Sequence, residues 1–234
     1  MKTRLVLASV ALAASAALPS LAYADLAFNA GIVTDYRYRG ISQSRLKPAV
    51  QGGVDFSSGG LYLGAWASTI KWVKDGGGDG SIELDLYGGY KGEITKGLGF
   101  DVGVLAYQYP SNKLNPSANT TELYGALTFG PATAKYSHST TNLFGFANSK
   151  GSGYLDLSAT FDVAGFSVTP HIGRQTVKKT SAASYTDYSL TVSKEVSKGV
   201  SLSAMVVDTN TSAYVGAGKD LGKAGLVLGA KINF

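Results

Sequence analysis

The sequence predicts an all-β fold: a closed, antiparallel, up-and-down transmembrane β-barrel of twelve strands. Three observations predict it. The last nine residues alternate with a period of two, the first two dozen read as an export signal, and the stretch between them is a series of short alternating runs divided by turn residues. Each element is taken below in chain order.

Lys2 and Arg4 make a short positive region, Leu5 to Leu18 is apolar, and Ala22-Tyr23-Ala24 offers the small residues that a signal peptidase reads. Residues 1–24 are therefore expected to be a cleaved signal, leaving 25–234 as the barrel. After the signal no stretch reaches the roughly 18 continuous apolar residues that a spanning helix needs. The chain has no cysteine, so neither a disulfide framework nor a thiolate metal site is available. Thirty glycines and fourteen tyrosines suit tightly paired strands with aromatic belts. The formal charge of +5, or +3 without Lys2 and Arg4, is too small to point to nucleic acid.

Strand one is expected at 26–39. Phe28, Ala30, Ile32, Thr34, Tyr36 and Tyr38 share one face; Asn29, Gly31, Val33, Asp35, Arg37 and Arg39 share the other. A basic side chain at mid-membrane costs about 2–4 kcal/mol on the lipid side, so the charged face must point to the lumen or the rim. Strand two, 48–57, sets Val50, Val54 and Phe56 outward and Gln51 and Asp55 inward. Strand three, 61–69, follows Ser57-Ser58-Gly59-Gly60, and its two faces are equally plausible toward lipid. Strand four, 81–90, points Ile82, Leu84, Leu86 and Tyr90 outward and Glu83, Asp85 and Tyr87 inward. The pattern repeats at 100–109, 120–129, 132–139, 153–161, 166–176, 185–195, 200–208 and 225–234. Pro170 lacks a ladder donor, which predicts a bulge or distortion in strand nine. Tyr214 to Lys219 is the weak point, because a wall strand there would call for fourteen strands.

In the final strand Leu226, Leu228, Ala230, Ile232 and Phe234 form the apolar face and Val227, Gly229, Lys231 and Asn233 the other. A strand closing on an aromatic matches the signal by which the barrel-assembly machinery recognises outer-membrane proteins. Every second connection is short, as expected of turns facing the periplasm, and the others are long, as expected of external loops. Strand one must pair with the last strand, because an open edge in hydrocarbon leaves amides unsatisfied. A soluble periplasmic ligand-binding barrel would show the same alternation with its faces reversed.

Several stretches resemble a known family. Val33-Thr-Asp-Tyr-Arg-Tyr-Arg-Gly-Ile-Ser-Gln-Ser44 with Pro48-Ala-Val-Gln-Gly-Gly-Val-Asp55 is similar to the opening motif of the TorF family of proteobacterial porin-type proteins. Gly60 to Ser68, Glu83 to Tyr90, Tyr107 to Pro110 and Gly153 to Asp156 continue the likeness. The ending Ala230-Lys-Ile-Asn-Phe234 departs from the family's Ser-Lys-Ser-Phe-like run. The resemblance implies an outer-membrane barrel in a Gram-negative bacterium with a channel role.

Residues in the expected lumen are the functional candidates. Asp35, Arg37, Arg39, Asp55, Glu83 and Asp85 form either a charged constriction that filters small hydrophilic solutes or a salt-bridge network joining Arg37 and Arg39 to Asp55, Glu83 or Asp85. His138 reads as outward-facing and His171 as lumenal, without a third ligand at metal spacing. No serine sits in a nucleophile motif and Gly76 to Gly80 lacks the ending of a phosphate loop, so neither an enzyme nor a cofactor is expected. Arg174, Lys178 and Lys179 are candidates to contact lipopolysaccharide. Tyr36, Tyr38, Trp66, Tyr90 and Tyr136 are candidates for interfacial girdles or for core packing. The expected function is passive diffusion through a narrow polar lumen. A non-conducting barrel with a surface role is the alternative.

Overall fold

The computed structural model describes residues 24–234. The expected signal, 1–24, lies outside them except for its last residue. Twelve strands make the wall. In chain order β1 is Asp25–Val33, β2 Ala49–Ser58, β3 Leu61–Thr69, β4 Ile82–Thr95, β5 Leu98–Gln108 and β6 Thr120–Phe129. Then come β7 Ala132–Ser139, β8 Gly153–Ala159 continued by Phe161–Val163, β9 Phe166–Thr176, β10 Tyr185–Ser197, β11 Val200–Thr209 and β12 Gly225–Asn233. Each pairs antiparallel with its sequence neighbours, and β12 pairs back onto β1, from Asn29 opposite Asn233 to Val33 opposite Gly229. The seam is closed further by reciprocal backbone bonds between Phe28 and Phe234, 2.9 and 3.0 Å, with their rings stacked at 6.0 Å. No edge strand remains, as a wall in hydrocarbon requires.

The alternation resolves as a greasy exterior. Leu26, Ile32, Val50, Leu63, Leu127 and Leu226 are each half exposed or more, while Glu83, Glu122 and Asp187, at inward positions, are buried. In β3 it is Leu61, Leu63 and Ala65 that face lipid, and Tyr62 and Trp66 that turn inward. Tyr90 and Tyr136 stand on the outer face. Tyr36, Tyr38 and Trp66 do not, and pack in the interior instead.

Glycine and tyrosine abundance has one local cause. A Cβ at Gly64, Gly89 or Gly103 would collide with the ring of Tyr87, Tyr62 or Tyr124, its cross-strand partner. Each tyrosine lies flat over a glycine on the next strand, which fills the missing side chain and tightens the inner wall. Two turns share a second device. Glu93 and Glu195 each accept the amide of a glycine four residues on, Gly97 at 2.6 Å and Gly199 at 3.0 Å, and the ladder shifts by a residue beside each. This carries β4 to Thr95, past the expected end at residue 90.

Pro170 makes no bulge. The β9–β10 register runs through it unbroken, opposite Leu190. Toward β8 the ladder lapses between Ser158↔His171 and Phe161↔Val168 without a shift of register, because proline has no amide to donate. Val215–Gly216 and Lys219–Asp220 pair with each other as a small hairpin outside the wall. Twelve strands therefore stand.

Five short turns lie at one end of the barrel, here the turn end, and six longer connections at the other, the loop end. The long connections pack into a cap. Ile70, Val73, Ala118, Leu143, Val177 and Leu221 are all buried there, which gives the loop end an apolar interior of its own. A four-residue helix, Trp72–Asp75, sits inside the long connection between β3 and β4.

Candidate functional site

The candidate site is the lumen at the loop end, and the connection after β1 builds it. The expected strand of 26–39 stops at Val33. Residues 34–48 then leave the wall, form a small ribbon of Arg37–Tyr38 against Ile41–Ser42, and fold across the barrel interior. Asp35, Arg37 and Arg39 therefore do not line a strand face; they belong to this inserted segment. Leaving the wall brings Arg37 to the last connection and Arg39 to strands across the lumen, partners that a straight strand would not reach.

Asp35 and Arg37 hold the segment's own shape. Arg37 Nε donates to Asp35 Oδ2 at 2.5 Å, and Ser42 Oγ donates to Asp35 Oδ1 at 2.5 Å. Arg37 Nη1 donates to the carbonyls of Gly40, Leu221 and Lys223 at 2.9, 3.0 and 3.0 Å, tying the segment to the last connection. At the tip Gly40 has φ +79°, and a Cβ there would lie 2.6 Å from Thr209 and 2.7 Å from Asp187. Only glycine fits both the backbone and the space.

Arg39 crosses the lumen. Its Nη2 donates to Glu122 Oε2 on β6 at 2.6 Å and its Nη1 to Gln175 Oε1 on β9 at 2.7 Å. The guanidinium also lies between the rings of Tyr154, 4.3 Å away, and Tyr38, 4.8 Å away. The Arg39 side chain is 5 % exposed and that of Glu122 2 %. Beside it Tyr38 and Tyr107 share a hydroxyl–hydroxyl bond, and Tyr36 donates to Glu83 Oε1 at 2.9 Å. Val33, Tyr36, Tyr107, Val207 and Val227 close the packing, with Trp66 and Met205 against them. A cavity of about 20 Å³ remains between Asp35, Arg37, Gln51 and Thr191. The loop-end half of the lumen is filled.

The network expected between the two arginines and Asp55, Glu83 or Asp85 is corrected in its partners. Arg37 pairs with Asp35, Arg39 with Glu122, and none of the three named carboxylates takes part. Asp55 accepts from Tyr87 at 2.5 Å, and Asp101 from Tyr62 at 2.5 Å, so these carboxylates anchor the tyrosines that cover the glycines. Glu83 and Asp85 sit two residues apart on β4, each with one buried oxygen that no protein group bonds. His171 is lumenal, as expected, 3.2 Å from Asp156, while Tyr154 donates to Asp187 at 3.0 Å. Glu122, Gln175, Tyr154 and Asp187 were not singled out from the sequence. Their one signal was position: each is an inward residue among the three of its strand nearest a long connection, Gln175 just before one and Glu122, Tyr154 and Asp187 just after.

Below the segment, toward the turn end, inner residues such as Gln51, Asp55, Tyr62, Thr191 and Ser203 are half-buried, so this part of the lumen is a polar vestibule. Lumen-facing positions carry eight carboxylates against Arg37, Arg39, Lys91, Lys135 and Lys231; Arg45, paired with Asp75, and exposed Lys47 belong to the segment's outer side. The lumen is net acidic. Among the described residues no group of three or more histidines and carboxylates is placed to hold a metal.

A closed twelve-strand wall, apolar outside and polar inside, invites comparison with known proteins. A family model described as "Bacterial protein of unknown function (Gcw_chp)" matches residues 17–234. The chain belongs to the Gcw_chp family. No curated relative matches the Gcw_chp chain. Among solved structures it is similar to a KdgM porin in complex with disordered oligogalacturonate, with a TM-score of 0.58 and 6 % identity over 91 % of this chain and 99 % of that one. A NanC porin gives a TM-score of 0.57 and 11 % identity, over 90 % of this chain and 99 % of that one. At such identities the likeness is one of fold. The family model carries the Gcw_chp description, and the narrower likeness to TorF rests on the motif residues alone.

Proposed function

We propose that this Gcw_chp barrel is an outer-membrane, porin-type channel for small hydrophilic solutes, with the loop-end half of its lumen closed by residues 34–48 in the state described. One observation carries the reading: a sealed wall, apolar all round, encloses a polar, water-accessible vestibule under a segment that is not part of the wall. The fold likeness to the KdgM and NanC porins supports it, and the TorF-like motif at 33–55 agrees. In this reading 1–24 is the cleaved signal, the turn end faces the periplasm, the loop end faces outward, and Phe234 is presented to the barrel-assembly machinery. Lipopolysaccharide surrounds the loop end. The chemistry is passive: no bond is made or broken.

Eight lumen-facing carboxylates against five lumen-facing basic groups give the lumen an acidic field, so conduction favours cationic and neutral solutes over anionic ones. Reconstitution in planar bilayers tests this. Discrete steps with cation preference are expected, and more frequent or larger ones when the segment is loosened. A barrel that stays silent in several salts, both as wild type and with Arg39→Ala, overturns the channel. That outcome leaves the second reading, a non-conducting barrel with a surface role. The observation favouring it is the continuous packing of cap and segment, from Tyr36 and Tyr107 up to Leu143 and Leu221.

A further inference from the structure

The outer wall carries a basic cluster that neither the lumen nor the belt explains. Apart from the lumen-facing groups, the loop end has eleven Lys and Arg against four carboxylates, whereas the turn end has three against four. Most of that surplus sits on the connections. One group of it faces sideways, on the lipid side of β7, β8 and β9. Arg174 is an outward residue of β9 and exposed. Its cross-strand row runs Tyr136, Leu155, Arg174, Thr186, and Arg174 Nη1 donates to Thr186 Oγ1 at 3.2 Å. Among the described residues it is the one Lys or Arg on the outer wall in the loop-end half of the strands.

Just above that row lies His138, exposed on β7, its ring 6.5 Å from that of Tyr136. Lys178 reaches the same place from the connection after β9. Lys178 Nζ and His138 Cε1 lie 3.1 and 3.7 Å from where a Cβ of Gly151 would stand. The position of Lys178 is fixed, since its amide donates to Ser152 Oγ at 2.9 Å. Lys150 and Lys179 flank it, both exposed. The outward carboxylate next along the wall, Asp208, belongs to β11, two strands from Arg174, and marks the edge of the patch.

The geometry points to a docking site for a phosphorylated glycolipid of the outer leaflet, held by Arg174, His138 and Lys178, with Tyr136 and Leu155 against its acyl chains. This rests on the outer-membrane reading. The lipid is chosen over a soluble anion because Arg174 lies on the belt, beside apolar Leu155 and Tyr136, where only a molecule in the plane of the membrane meets both surfaces. A basic row above an aromatic and aliphatic row, at the depth where strands give way to connections, matches an anionic headgroup over its own chains.

The test counts lipids bound to the purified full barrel by native mass spectrometry, with diphosphorylated lipid A as the probe. Three comparisons decide it. The double variant Arg174→Gln, Lys178→Gln is expected to bind roughly 30-fold more weakly, two surface charges' worth. Lys71→Gln with Lys74→Gln, on the connection after β3, is expected to match wild type. Fully dephosphorylated lipid A is expected to bind as weakly to wild type as lipid A does to the double variant. Equal affinity of both variants, or of both lipids, overturns the site. Displacement of lipid A by equimolar inorganic phosphate also overturns it, in favour of a soluble-anion site. A chain absent from the outer-membrane fraction sinks the proposed function and this site together; a barrel found there that ignores the phosphates sinks the site alone.

Discussion

Replacing Arg39 by alanine should release the inserted segment while leaving the wall intact. The guanidinium holds Glu122 at 2.6 Å and Gln175 at 2.7 Å and is sandwiched between two tyrosine rings. Without it a carboxylate 2 % exposed has no partner cation. Breaking a buried pair from one side costs about 3–5 kcal/mol. At the lower figure the displaced population of the segment rises roughly 150-fold. The chain has no cysteine, so a single Ile41→Cys, 5 % exposed in the parent protein, reports that population by its maleimide labelling rate. Labelling should accelerate by about two orders of magnitude with Arg39→Ala. Arg39→Met with Glu122→Leu should restore much of the slow rate, because an apolar pair of similar volume avoids the orphaned charge. A change of less than twofold in the first variant would refute the reasoning. It would mean that water already solvates Glu122 and that the pair behaves as a surface contact worth under about 1 kcal/mol.

Gly103→Ala should force Tyr124 off its resting place and lower stability by about 1–3 kcal/mol, read as an earlier midpoint in urea unfolding from micelles. Phe234→Ala keeps the backbone bonds to Phe28 but loses the stacked ring at 6.0 Å; the folded, heat-modifiable fraction should accumulate more slowly in cells, and unchanged kinetics would count against the seam. Pro170→Val supplies the missing amide beside the gap in the β8–β9 ladder and should stabilise the barrel by about 0.5–1.5 kcal/mol, checked by the same unfolding midpoint. At the cap, Asp79 accepts from Lys113 at 3.0 Å, and that bond holds its carboxyl below the usual carboxylate range. A depressed folded value means the tie is present above the ordinary carboxylate range and is lost as pH falls through the lowered value. Lys113→Ala should raise the Asp79 titration midpoint seen by carbon-detected NMR, while Asp79 stays ionised at neutral pH in both proteins.

Alternation made the barrel legible. It is a local rule: which side residue i takes follows from which side i+2 takes, so Leu226, Leu228 and Ile232 declare the lipid face without knowing their partners. Inward Asp55 and Glu83, outward His138 and inward His171 followed in the same way. Strand count followed from alternating connection lengths, and the hairpin at Val215–Asp220 confirmed twelve by pairing with itself.

Residues 34–39 show where that rule stops. Their period of two continues past Val33 although the strand does not, because alternation records side-chain chemistry and not where the backbone goes. What bends the chain inward is a set of partners distant in sequence: Glu122 lies 83 residues from Arg39, Gln175 136, and Leu221 184 from Arg37. Those distances close only once the wall has wrapped. The sequence by itself determined the wall, its alternation and its even number of strands, since each needs only neighbours along the chain; which face of β3 meets lipid came from the structure. Tertiary structure alone decided that the lumen is filled at one end, and with which pairs. A buried charge takes whatever partner the closed barrel brings within reach, and no local pattern encodes that.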